Sequence, residues 1–157
     1  MHVTRSDVTA VHDWALDREA VVVPLANDVR ERLGAVFETD VDPVSTEAYA
    51  GAIDDVFADA DRALNAATLI LLLRELDVAA DYPGFVVDEL LGRELAAIVG
   101  GEQPRRLLAE ATFHVADLHS HADGPAGLDD VDAALAAGVQ TRVPGWDWTE
   151  TDGLEKR

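Results

Sequence analysis

The residues of this chain best placed to act together are Glu110, His114, Asp117 and His121. They lie four, three and four apart. On a helix turning about 100° per residue, that spacing sets all four along one face. Imidazole nitrogens and carboxylate oxygens in such an array are ligands for zinc, or for a di-iron centre where two helices face each other. A divalent metal is therefore the one cofactor the residues give a reason to test, and no other is expected. The apolar residues of the same stretch, Leu107, Leu108, Ala111, Val115 and Leu118, form an arc nearly opposite the stripe. With that arc turned to the core, the stripe lies in water and becomes a site only under a second subunit. His119 falls on the leucine side near the helix end, where an imidazole caps carbonyls.

Other constellations are thinner. The His114–Asp117 pair resembles the ExxH element of ferritin-like proteins over one helical turn, with the residue order reversed, and no function is carried over. Asp54, Asp55 and Asp59 (DDVFAD) resemble the aspartate-rich Mg²⁺ motif of isoprenoid synthases, whose carboxylates hold diphosphate through metal ions. The spacing here is one residue longer than DDxxD, and no second acidic motif pairs with it. His12–Asp13 is an isolated HD pair. Nucleophilic catalysis has no foothold, because there is no cysteine and no GxSxG elbow. Gly92 and Gly100–Gly101 do not build a phosphate loop. Trp146 and Trp148, in Pro144–Trp148, either anchor a partner pocket or fold back and close one end of the molecule. Exposed tryptophans are costly for a monomer, which favours the second.

Charge narrows the partners. The chain has 157 residues, with 31 acidic against 12 basic side chains and a net charge of -19. Lysine occurs once, at Lys156. The acids are dispersed (Asp7, Asp28, Asp54, Asp59, Asp81, Asp88, Asp130), which predicts an acidic surface and not an acidic tail. Such a surface with almost no lysine suits multimolar salt, where a Debye length of ~3 Å or less screens self-repulsion. Nucleic-acid binding is unsupported, for Arg105–Arg106 and Arg30/Arg32 are short pairs and no basic stripe exists. No apolar run approaches the ~20 residues that cross a bilayer, and MHVTRSDV has no apolar core of a secretory signal. A cytoplasmic protein without a membrane is expected.

The elements that would position these residues are helical. Ser6–Asp7 opens a first helix to about Arg18, Val21–Val23 is a short β-branched run, and Pro24 begins a helix Leu25–Phe37. Ser45 caps the next stretch, and 45–80 is one long helix or two broken around Ala58–Arg62. Tyr82–Gly84 stops it. Helices follow at Phe85–Val99, ended by Gly100–Gly101, at Pro104 to about His121, and, after the turn 123–127, at Leu128–Val139, closed near Gly138. Ala63–Leu76 (ALNAATLILLLREL) is apolar on every side and is expected at the centre.

These readings predict an all-α antiparallel bundle of six or seven helices around Ala63–Leu76, one domain over 1–142, and an irregular acidic tail over 143–157. The leading functional expectation is a small, non-enzymatic interaction or regulatory protein of a salt-adapted cytoplasm, binding a protein partner or a second copy. The alternatives are a metal-binding bundle using Glu110, His114, Asp117 and His121, and a helical DNA-binding regulator using Leu25–Phe37 with Arg30 and Arg32.

Overall fold

Thr4, not Ser6, starts the first helix. Its hydroxyl accepts from Asp7 N at 3.1 Å while Asp7 Oδ2 accepts from Thr4 N at 2.8 Å, so two otherwise orphaned amides are satisfied reciprocally. The computed structural model describes residues 1–76, 87–120 and 126–146. Within them lie seven helices: α1 (Arg5–Asp17), α2 (Glu19–Val36), α3 (Thr46–Ala58), α4 (Ala60–Glu75), α5 (Val87–Gly100), α6 (Arg105–Leu118) and α7 (Ala126–Arg142). The described residues hold no strand, and the expected all-α bundle is what forms. No helix among them is long and apolar enough to cross a membrane.

Further boundaries differ from the sequence pattern: α2 begins at Glu19, before Leu25, and α7 runs from Ala126 to Arg142. Val21–Val23 is helical and Pro24 sits inside α2. A proline there removes the bond to the carbonyl four residues back, at Ala20. Ala20 and Pro24 both lie on the exposed face of α2, where the lost bond strands no group in the core and the helix continues. Gly138 lies inside α7, not at its end. A Cβ there would come within 2.5 Å of Val99 Cβ, so the glycine lets α7 press against α5. The Tyr82–Gly84 stop and residues 123–125 of the expected turn lie outside the described residues. The 45–80 stretch breaks at Asp59, whose carboxylate caps α4 by accepting from Arg62 N at 3.0 Å, and Ser45 caps α3. Gly101, at φ 99°, ends α5 in the left-handed region that glycine tolerates.

The centre of the molecule is α7. Every residue from Asp130 to Thr141 is buried, and α2, α4, α5 and α6 all lie against this helix. The expected centre, α4, buries one face through Ala63, Ala66, Ala67, Ile70 and Leu73, while Leu64 and Leu72 reach solvent. The reason is size. A helix surrounded by four others must be slim at its close contacts, and α7 puts Ala133, Ala134, Ala136, Ala137 and Gly138 inside, whereas α4 carries a run of leucines that covers a flank.

A slim helix with polar residues needs neighbours to satisfy them. Arg18 reaches Asp132 with two bonds, Nε to Oδ1 at 3.0 Å and Nη2 to Oδ2 at 2.6 Å, and Asp132 is fully buried. Burial pushes the Asp132 carboxyl upward and the guanidinium opposes that shift. At the other end of α7, Arg30 is 1% exposed and donates to the carbonyls of Asp42, Gln140, Val143 and Pro144. It ties α2 to the end of α7 and to the α2–α3 loop. Gly145, at φ 135°, completes the junction, since a Cβ there would sit 2.6 Å from Arg30 Nη1.

Candidate functional site on helix α6

Helix α6 has two apolar faces, and the sequence reading chose the wrong one as inner. The buried residues are Ala109, Phe113 and Ala116, one turn apart. Phe113 fills the notch left by Gly92 of α5, where a Cβ would come within 2.6 Å of the ring. The arc expected to face the core is the outer one: Leu107 is 61% and Leu118 75% exposed, Ala111 is exposed, and Leu108 and Val115 are half-buried. Small residues won the inside for the same reason as in α7. They let α6 approach its neighbours, and one phenylalanine supplies the bulk.

The acid and histidine stripe therefore does not stand alone in water. Glu110 and His114 border a groove of about 510 Å³ between α5 and α6, together with Leu90, Arg93, Glu94 and Leu107. His114 Nδ1 lies 3.2 Å from Glu89 Oε1. Asp117 is half-buried, and its carboxyl is pushed upward by burial first, then by Glu89, Asp129 and Asp88. His121 lies outside the described residues. Among the described residues no three histidine, aspartate or glutamate side chains are grouped to hold a metal ion.

What gathers here instead is a set of carboxyls, from the starts of α5 and α7 and the end of α6. Asp88 and Asp130 are buried, and they were counted among the surface acids. Asp130 is pushed up to about 8, by burial first, then by the charges of Asp117 and Asp88 and by hydrogen bonding with the Asp88 carboxyl. Like charges held close in a poorly hydrated place cannot both ionise, so one proton stays at neutral pH. Sequence reasoning missed this cluster. Asp130 was counted only as one of the dispersed acids of the surface, and nothing in the segment DDVDAALAAGV shows that its every face is covered.

The remaining candidates are spent on structure. His12 stacks on Phe57 at 4.6 Å between ring centroids and lies 2.8 Å from Asp54, while Asp59 caps α4, which divides the DDVFAD acids between two tasks. Arg30 cannot reach a phosphate from its cage of carbonyls, whereas Arg32 is exposed. Trp146 is 3% exposed, pairs through its backbone with Val41, and has the Arg30 guanidinium 5.9 Å from its ring. A ring so covered offers no anchor to a partner. Trp148 lies outside the described residues.

A second groove runs on the other flank of α6. It has a volume of about 550 Å³, and its walls include Leu33 of α2, Phe37 just after that helix, Leu108 of α6 and Trp146. Arg105 and Thr112 of α6 and Gln140 and Thr141 of α7 add polar groups. Gln140 Nε2 donates to the Thr112 and Thr141 hydroxyls at 3.1 and 2.9 Å. Both hydroxyls spend their protons on helix carbonyls, which fixes the amide and leaves Gln140 Oε1 buried without a donor.

The chain belongs to the family described as a domain of unknown function, DUF7984, whose model matches residues 1–154. No curated protein and no solved structure matches it.

Proposed function

We propose that this chain is a non-enzymatic interaction protein of a salt-adapted cytoplasm, and that it works as a pair of copies joined through the outer face of α6. The observation that carries this reading is the exposure of Leu107 and Leu118 on one helix face, beside Leu90 of α5 at 48%. Single exposed leucines need no explanation, but a stripe at helical spacing is what a covered surface looks like. Two copies packed across a two-fold axis would bury this leucine stripe of each against the other, and affinity comes from the leucines.

Two chains of net charge -19 repel in dilute buffer, so association strengthens as salt rises. Sedimentation in about 2–3 M KCl, where the Debye length is below ~3 Å, is expected to give a dimer. The double variant Leu107→Glu/Leu118→Glu is expected to be monomeric with an unchanged far-UV spectrum, because both side chains are exposed in one chain. A wild-type monomer at high micromolar concentration, or a double variant that still dimerises, would overturn the proposal.

A further inference from the structure

We propose that the paired α6 helices hold a zinc ion on their two-fold axis, bound by His114 and Glu110 of each copy. The site rests on the self-association proposed above and gives that face a ligand at its centre. After Arg105, the exposed residues of α6 are Leu107, Ala111, His114 and Leu118. They lie four, three and four apart, the spacing of a seam between two helices. Helix dipoles favour an antiparallel pair, with the two-fold axis crossing α6 between Thr112 and Phe113. In that register Leu107 of each copy meets Leu118 of the other, and Ala111 meets His114. No other antiparallel register sets both leucines on leucines.

The middle of this seam is its polar part. The two His114 side chains come from adjoining layers, about 4.5 Å apart along the axis, and each faces a small Ala111 that leaves it room. The same axis keeps the α5 edge of both copies on one side. Glu110 stands on that edge, bordering the α5–α6 groove one turn before His114, so both carboxylates gather with both rings. Two imidazoles and two carboxylates are a four-ligand set for tetrahedral zinc. A single chain supplies half of it, and no group of three metal ligands forms among the described residues.

The ring is already oriented for coordination. His114 is 50% exposed at its side chain, and Nδ1 faces Glu89 Oε1 at 3.2 Å. A proton held there fixes the tautomer and leaves the lone pair on Nε2, the carboxylate–histidine arrangement that backs zinc ligands. Without a metal, closing the pair would desolvate two imidazoles with nothing to offset the cost. The cations bordering the groove are Arg93 and Arg106. Arg106 is held by Glu94 at 2.9 Å and Arg93 is likewise engaged, while Glu110 enters no ion pair among the described residues.

The test is equilibrium dialysis of the full chain against zinc chloride in about 2 M KCl, with metal analysis and sedimentation of the same samples. Chloride, a weak ligand, competes equally in every sample. Saturation is expected at about one zinc for two chains, and zinc should tighten the wild-type pair by about tenfold or more, reversibly with EDTA. His114→Ala should lose saturable zinc binding yet still sediment as a dimer, because the leucines of the seam remain. Glu110→Gln should weaken zinc by about tenfold or more. A wild-type dimer that binds zinc no better than His114→Ala, or that saturates at one zinc per chain, overturns the shared site and leaves the pair standing. A chain that stays monomeric with and without zinc overturns both.

Discussion

Asp130 carries a testable consequence at the scale of one residue. Its carboxyl is pushed up to about 8 in the folded chain, against an ordinary value of 3.8. Between those two values the folded state holds a proton that the unfolded state has released. Stability therefore falls as pH rises through this window, with a slope of ~1.4 kcal/mol per pH unit for one proton, and the benefit is fully present only below pH ~4. Asp132 and Asp117, also pushed upward, add slopes of the same sign, while Asp7, held down by its bonds to Thr4, works the other way at lower pH. Asp130→Asn keeps the shape and removes one titrating proton. Urea unfolding of wild type and variant from pH 5 to 8, at fixed KCl, should show a shallower decline for the variant. Parallel declines would mean that Asp130 ionises normally.

At the scale of elements, the contrast between α4 and α7 gives a second prediction. Leu72 of α4 is 39% exposed, so Leu72→Asp loses part of a leucine's burial, about 1–2 kcal/mol, and should remain soluble and helical. Leu135 of α7 is 1% exposed, and Leu135→Asp strands an unpaired carboxylate among four helices, which exceeds the few kcal/mol that hold a domain together. Circular dichroism on both variants decides which helix is central. The same contrast marks what was legible beforehand. The helices, the break at Asp59, the Ser45 cap and the Gly101 stop are local events, written in neighbouring residues. Which face of α6 turns inward, and which helix is enclosed, depend on how closely other helices approach. Hydropathy rewards leucine, but a surrounded helix selects for alanine and glycine, so the pattern pointed to α4 and to the outer arc of α6. The buried acids were hidden for a related reason: the partners of Asp132 and Asp130, Arg18 and Asp88, are 114 and 42 residues away in the chain.

For the whole molecule, the balance of charge sets the solvent in which folding and pairing should be judged. Asp88, Asp130 and Asp132 are internal, but Asp13, Asp28, Asp54 and Asp61 are exposed, and the net charge remains -19. Repulsion among exposed acids destabilises the compact state until counterions screen it. Screening is largely complete by about 0.5–1 M, where the Debye length has fallen to a few ångströms. The melting temperature is therefore expected to climb steeply from low salt to about 1 M KCl and more gently beyond, where exclusion of salt from the surface takes over. Association adds its own dependence, because a dimer that binds no unfolded chain stabilises by mass action. Leu107→Glu/Leu118→Glu separates the two contributions. It should keep the steep low-salt rise, which belongs to each chain's charge, and lose the dependence on protein concentration, which belongs to the pair. Calorimetric scans at two protein concentrations across the salt series read both effects at once. A wild-type melting temperature that stays flat or falls from low to molar KCl would mean that the acidic surface serves a partner and not the solvent.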